Sequence, residues 1–410
     1  MKWTLFCILF TTTVANAQLL KQAQGNLKPI LADLNDLRAL RIPVSAENEY
    51  VEVGFAKVDP FQLSLIHERA HKVGKCGGFE DLEAGMEFFG EDFESLLSSL
   101  EKIKRKNELY HLAPFKAPTV LKDESLLQVI EEVSESNLRA YVQWLSSFPN
   151  RDNKSSNPNR HVTEMITRLE AMLSSASIPF EVSEIAHSST AQKSIRVRLI
   201  GRERPNEIIV LGGHLDSINQ SWGGGGDQAP GADDNASGSA NLIEALRILM
   251  TKEQPKRTIE FFWYAGEESG LLGSAEIAKQ YKNQNKDVIA VLQLDMTLFP
   301  GSGEGVIGSM TDFTSAWLRD YLKALNATYL KATIIDDKCG YGCSDHASWN
   351  RQGYPAIMPF ESSFKGSNKN IHTAKDVISP ALNFKHSALY SKIAILLAMD
   401  LGNSSERQPY

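Results

Sequence analysis

Ile208-Ile209-Val210-Leu211-Gly212-Gly213-His214-Leu215-Asp216 is the stretch on which the fold turns. Its first four residues are apolar without interruption, so the strand they form has no polar face and is of the kind buried on both sides. Sheets covered by helices on both faces contain such strands. The run stops at a glycine pair, then at a histidine and an aspartate two residues apart, which point the same way in extended chain.

Two further apolar runs end in the same manner. Thr258 to Tyr264 leads into Ala265-Gly266-Glu267-Glu268, and Val288 to Leu294 leads into Asp295-Met296. In open α/β sheets ligands bind beyond the carboxyl ends of the strands, so three strand ends converge on one site. Helical patterns separate the runs. Ser237 to Met250 puts Leu242, Leu246 and Leu249 on one stripe, and from Glu124 a long amphipathic helix carries Leu126, Leu127, Ile130 and Val133. Ser194 to Ile200 alternates, with Ile195, Val197 and Leu199 on one face. The succession predicts an α/β fold: a three-layer sandwich with a central mixed, mostly parallel sheet flanked by helices. Gly223 to Gly226 reads as a mobile loop, and no internal repeat is present.

A fourth cluster, Gly231-Ala232-Asp233-Asp234-Asn235-Ala236-Ser237-Gly238, opens the Leu242 helix. An N-cap accounts for one acid there, not for two. A carboxylate has two oxygens and can bridge two metal ions ~3.5–4 Å apart. His214 with Asp216 behind it suits an imidazole oriented at a metal, against the plainer reading of a buried histidine satisfied by an aspartate. Glu267-Glu268 follows Phe261-Phe262-Trp263. At such a buried strand end one glutamate can bind metal and its neighbour handle a proton, whereas alone the pair would be a solvated acidic turn. The C-terminal part offers His346, in Ser344-Asp345-His346-Ala347, and His372, in Asn370-Ile371-His372-Thr373. Either can be a ligand, and spacing does not choose.

The chain has 410 residues and a net charge of -7, which argues against nucleic acid as a partner. Hydrophobic residues make up 42%, which excludes wholesale disorder. Lys2, the apolar run Leu5 to Phe10 and Ala15-Asn16-Ala17 form the pattern of a signal peptide over residues 1–17. The run is too short to span a bilayer, which takes ~20 residues, so a secreted product with no membrane anchor is expected. Residues 18–117 differ in texture and read as a small prosegment domain, bounded near Pro114 and Pro118. The main domain then spans 118–403 and a tail 404–410. Cys339 and Cys343 flank Gly340-Tyr341-Gly342 closely enough to close a loop, and export favours a disulfide there. Cys76 falls within the prosegment. So does His67-Glu68-Arg69-Ala70-His71, a literal H-E-x-x-H. Gly74, Gly77 and Gly78 cut its helix short and no buried strand supports it, so it is placed outside the catalytic centre.

Taken in order across roughly 118–400, GGHLDS, PGADDNASG, AGEESGLLGS, LQLDM, CGYGCSDHASW and MPFESSF…IHT resemble the secreted bacterial leucyl aminopeptidases of the co-catalytic di-zinc exopeptidase family. The resemblance implies two zinc ions per chain, with Asp234 bridging, His214 and Asp295 completing one and Glu268 and His372 the other. It implies Glu267 as the general base acting on a bridging water, Asp216 as the carboxylate behind His214, and Tyr341 as a stabiliser of the oxyanion. Met358, Phe360, Phe364 and Ile371 correspond to an apolar pocket for leucine-like or aromatic first residues, and His346 becomes structural. The implied activity is hydrolysis of the N-terminal peptide bond of peptides and proteins with a free N-terminus. A processing protease would remove the prosegment, and the chain is expected to act as a monomer. Relatives of the fold leave two alternatives, a single-zinc glutaminyl cyclase-like transferase and a non-catalytic receptor-like domain.

Overall fold

The structure is a computed structural model and describes residues 27–72, 78–82, 93–109, 118–220 and 228–404. The expected signal peptide, Cys76, Gly223 to Gly226, the boundary near Pro114 and most of the tail lie outside the described residues.

The N-terminal unit runs β1 (Lys28–Asp33), α1 (Leu34–Ala39), β2 (Ala46–Asn48), β3 (Val53–Val58), α2 (Pro60–Lys72), β4 (Phe79–Asp81) and α3 (Phe93–Glu108). Its sheet has the order β2-β3-β1-β4 and is antiparallel throughout. Asp33 starts α1 by accepting the backbone N–H of Asn35 and Asp36 at 2.7 and 3.2 Å. Alternation along β1 divides the apolar residues between two faces. Ile30 and Ala32 pack with Leu37, Ile66 and Phe79, while Leu31 packs with Phe55, Leu97 and Leu100. Helices therefore cover this sheet on both sides.

The rest of the chain begins with α4 (Glu124–Ile130), α5 (Glu135–Leu145) and α6 (Arg160–Leu173). The single long helix expected from Glu124 is two helices. Ser134 ends the run, its Oγ accepting the Asn137 N–H at 3.3 Å as the cap of α5, and serine favours caps over helix interiors. Val133 sits in the break.

There follow β5 (Phe180–Ile185), β6 (Ser194–Leu199), β7 (Arg204–His214), α7 (Ala236–Leu249), β8 (Arg257–Tyr264), α8 (Leu272–Asn283) and β9 (Asp287–Gln293). The chain closes with β10 (Val306–Met310), α9 (Ala316–Leu325), β11 (Thr333–Asp337), α10 (His346–Arg351), β12 (Ala356–Ile357), β13 (Pro359–Phe360) and α11 (Phe384–Asn403). The central sheet has the order β12-β9-β7-β8-β6-β5. β12, β9, β7 and β8 are parallel, and β6 and β5 are added antiparallel at one edge. The sheet is thus mixed and mostly parallel. Every residue of β8 is buried, the polar Arg257, Thr258 and Glu260 included.

Helices lie on both faces. Ile209 and Leu211 of β7 point into a core shared with α5, α6, α7 and α11, while Ile208 and Val210 point into one with Ile277 and Tyr281 of α8 and Trp349 of α10. α7 shows more than one apolar stripe: all its residues except Arg247 are buried, because α5 and α11 pack on it as well as the sheet. A second, three-stranded sheet, β11-β10-β13, stands beside the main one.

Candidate metal centre

β9, β7 and β8 are consecutive neighbours in the sheet, and the three expected clusters leave their C-terminal ends. His214 is the last residue of β7. The glycine pair before it belongs to the strand: a Cβ on Gly212 would sit 2.5 Å from the ring of Tyr264 on β8. Only glycine lets the two strands run side by side here.

Asp234 stands between two histidines. Its Oδ1 lies 3.1 Å from Nε2 of His214 and its Oδ2 2.9 Å from Nε2 of His372. His214 Nε2 is also 3.3 Å from Asp295 Oδ1, and His372 Nε2 is 2.8 Å from Glu268 Oε2. The result is two groups, His214 with Asp234 and Asp295, and Asp234 with Glu268 and His372. All five residues are buried. Between the two histidines, spacing left the choice open; the structure brings His372 here and leaves His346 buried at the start of α10, in neither group.

The surroundings hold these side chains in place. Asp216 accepts the backbone N–H of both Glu267 and Glu268 at 3.1 Å and lies 3.4 Å from Nδ1 of His214. It therefore sits behind one histidine and also shapes the glutamate turn. Asn235, not Asp233, caps α7: its Oδ1 accepts the Gly238 N–H at 2.9 Å while its Nδ2 donates to Leu294 O at 3.0 Å. Asp233 instead accepts from Leu298 N and Asn368 Nδ2, both at 3.0 Å. Ser344 Oγ donates to Asp295 Oδ2 at 2.6 Å.

Two supports carried no signal in the sequence. Asp376 accepts the N–H groups of Asp233 and Asp234 at 3.0 Å each. Arg151, wholly buried, donates to the carbonyls of Leu145, Leu215, Pro230 and Gly231, tying the end of β7 to the loop that carries Asp234. Both act across long stretches of chain, where no spacing pattern exists to read.

The donor set fits metal ions. Two imidazoles and three carboxylates are ligands of the type zinc takes, each imidazole Nε2 faces two carboxylate oxygens, and the buried Oε1 of Glu268 has no hydrogen-bond donor among the described residues. The protonation pattern points the same way. Burial opposes the charged form of His372, yet Glu268 and Asp234 outweigh it and push the imidazole up to about 10. His214 is likewise raised well above its ordinary value, burial being overcome by Asp295 and Glu267. Burial and the charge of Asp234 push Glu268 up to about 7. Burial raises Glu267 well above the usual carboxylate range, against the pull of His214. A cluster of this kind has an excess of negative charge that protons or cations must neutralise.

Met358, Phe360, Phe364 and Ile371 form one apolar cluster with Tyr341 and the Cys339–Cys343 disulfide. Met296 and Met310 belong to it too. Sequence reading passed over both, treating Met296 only as the end of a strand. The Phe360 and Phe364 rings are 5.8 Å apart, and Phe364 meets Tyr341 edge-on at 6.4 Å.

The H-E-x-x-H segment lies on α2, and the side chain of His71 is outside the described residues. Nδ1 of His67 is 3.0 Å from Nε2 of Gln220. Neither His67 nor Glu68 belongs to the two acid–histidine groups, but both line a cavity of about 490 Å³ that Glu268 and His372 also line. Among the described residues, no helix is long and apolar enough to cross a membrane.

Residues 195–398 match peptidase family M28. The chain belongs to that family and is a hydrolase of peptide bonds. It is 36% identical over 291 residues to leucine aminopeptidase 1 of Pyrenophora tritici-repentis, covering 68% of this chain and 73% of the relative. Leucine aminopeptidase 1 of Uncinocarpus reesii is 33% identical over 386 residues, 90% of this chain and 94% of the relative. Among solved structures, the LapA aminopeptidase of Legionella pneumophila superposes with a TM-score of 0.77 at 27% identity, covering 93% of this chain and all of that one.

Proposed function

We propose that the chain is a secreted two-zinc aminopeptidase that removes leucine-like or aromatic first residues from peptides and proteins. The aminopeptidase class rests on the family and on relatives that bear that name, which sets the cyclase and receptor readings aside. The observation that carries the two-metal reading is the sharing of Asp234 between two acid–histidine groups.

In this reading His214, Asp234 and Asp295 hold one zinc ion and Asp234, Glu268 and His372 the other. Zinc supplies Lewis acidity, polarising the scissile carbonyl and making water a better nucleophile. Glu267 takes the proton of the attacking water and returns it to the leaving amine; burial raises its basicity to suit both steps. Tyr341 donates a hydrogen bond to the oxyanion as it develops. The wall of Met358, Phe360, Phe364 and Ile371 receives the first side chain and selects it by apolar contact. The acidic surplus of the centre attracts the free ammonium group of the substrate. Residues 1–17 are read as the export signal and 18–117 as a prosegment removed on maturation from a monomeric 118–403 domain.

Metal analysis of the cleaved chain, with a panel of aminoacyl-nitroanilides, tests this. Two zinc ions per chain and cleavage of leucyl but not N-acetyl-leucyl nitroanilide are expected. One metal ion or none, or no cleavage of any unblocked substrate, would overturn it.

A further inference from the structure

Four consecutive backbone N–H groups beyond the end of β8, those of Ala265, Gly266, Glu267 and Glu268, each donate to a side-chain oxygen. Asp216, past the end of β7, takes the last two. The first two turn to the other neighbouring strand: the Ala265 N–H donates to Ser194 Oγ and the Gly266 N–H to Gln192 Oε1, both at 2.9 Å. Ser194 is the first residue of β6, whose pairing with β8 ends at Ile195 and Trp263. Where the ladder stops, side chains take over the bonds of the backbone, and a buried N–H needs such an acceptor. The turn depends on them, because it passes through Gly266 at a φ of +61°, where glycine itself imposes little restraint. Ser194 and Gln192 are both fully buried.

Behind Ser194 the contacts run on to α8. His187 Nε2 is 2.7 Å from Ser194 Oγ, and its Nδ1 is 3.5 Å from Glu276 Oε2, the His187 side chain being 1% exposed and that of Glu276 21%. Serine, histidine and glutamate in this order form the arrangement of a nucleophilic triad. Here Ser194 is sealed from solvent and its oxygen already accepts the Ala265 N–H, so the three hold position instead. Glu276 also accepts the N–H groups of Ser188 and Ser189 at 3.0 and 2.8 Å and their hydroxyls at 2.9 and 2.5 Å. Partial burial opposes its charge, yet His187 and Ser189 outweigh it and hold the carboxyl down to about 2. α8 in turn follows the glutamates directly, the Gly273 N–H donating to Ala265 O at 2.9 Å. The connection between β5 and β6 therefore ties the start of the turn to the helix that leaves its end. Gln192 Nε2 adds a bond of 2.9 Å to Arg151 O.

We propose that Ser194 and Gln192, braced by His187 and Glu276, are positioning residues for Glu267: they fix the backbone from which its carboxylate is aimed at the attacking water. The proposal rests on the reading of Glu267 as the base. The zinc ligands have other supports, since His214 stands on β7, Asp295 is bonded by Ser344 and the Asp234 N–H by Asp376. The apolar wall around Phe360 lies elsewhere again. Loosening Ala265 thus acts on the aim of the base more than on metal or substrate binding, and a misplacement of about 1 Å can cost on the order of 10²-fold in rate.

The test is a double-substitution cycle on the purified, zinc-loaded protein with leucyl-nitroanilide as substrate. Ser194→Ala should lower kcat by about 10–100-fold, with KM and zinc content close to those of the wild type. In a Glu267→Gln background the same substitution should cost less than about twofold, because effects that run through one residue do not add. A residue that served stability alone would cost as much in either background; that result, an unchanged kcat, or a fall explained by lost zinc would overturn the proposal. If circular dichroism shows that Ser194→Ala does not fold, Glu276→Ala at the solvent rim frees His187, Ser188 and Ser189 with the same expectation. Amide hydrogen exchange reads the clamp without catalysis: protection of residues 265–268 should fall in the variant, and unchanged protection would also overturn the proposal. A wild type that hydrolysed no unblocked substrate would strike the aminopeptidase reading instead, and the exchange measurement would then judge the clamp by itself.

Discussion

Asp376 Oδ2 accepts the backbone N–H of Asp234 at 3.0 Å, across 142 residues of sequence. That bond aims the carboxylate that two histidines share, and the other oxygen of Asp376 fixes the preceding residue in the same way. Asp376→Ala leaves two buried N–H groups without acceptors, at roughly 1–3 kcal/mol each. Denaturant unfolding should show that loss, and zinc titration a weakened site, although Asp376 belongs to neither group of ligands.

Glu267→Gln keeps shape and removes the proposed base. The turnover rate should fall by about 10²–10⁴-fold while metal content, read by elemental analysis, is unchanged. A variant that keeps wild-type turnover would remove Glu267 from its role.

Asp216→Asn keeps one acceptor oxygen but gives up the second and the negative charge beside His214. The glutamate turn and the imidazole should both loosen. The expected cost is on the order of 10–100-fold in metal affinity or activity, seen in turnover more than in KM because the apolar pocket is elsewhere.

Acid should weaken the fold through two histidines outside the metal centre. Burial, with the charge of Arg151 adding to it, pulls His161 down to about 3, and burial pulls His346 down to about 4. Unfolded, each titrates near ~6.5. Below that pH the unfolded chain takes up protons that the folded chain refuses, so stability falls as pH drops from about 6.5 towards 3–4, by roughly 1.4 kcal/mol per pH unit for each histidine. Unfolding free energies measured across this window should show the slope, and His161→Gln should make it shallower.

Chelation should abolish hydrolysis and lower the melting temperature together, because an ion bound only to the folded state stabilises it by mass action. Added zinc should restore both. Loss of activity without a thermal shift would mean that the ions are not held by the buried groups around Asp234.

Much of this was legible in the chain. Ile208 to Leu211, Thr258 to Tyr264 and Val288 to Leu294 announce buried parallel strands because apolar residues dominate them, and His214, Glu267, Glu268 and Asp295 stand out because they follow such runs at once. The remainder depended on contacts between distant parts of the chain. Asn235 rather than Asp233 caps α7, because Asp233 is drawn away by Leu298 and Asn368. His346 and His372 are equally polar in their local sequence, and only the packing of α10 buries the first away from the site. Arg151 and Asp376 look like any charged residues in loops until the fold closes around them. The break at Ser134 turned on a capping bond that outweighed an apolar period.

The adjacency of β9, β7 and β8 makes the sheet a ruler for the centre. Hydrogen-bonded strands lie about 4.7–4.9 Å apart, so side chains leaving three neighbouring strand ends start at intervals suited to enclosing small cations. His214 pairs with Tyr264, and Gly212 with Gln293; a slip of one residue in β7 would carry His214 about 3.3 Å along the strand and turn it to the opposite face. The irregularities of β7 are confined to Arg204–Ile209, at its far end. Spacing at the centre is therefore a property of backbone pairing, and the apolar side chains of these strands can vary without changing it, provided the pairing holds.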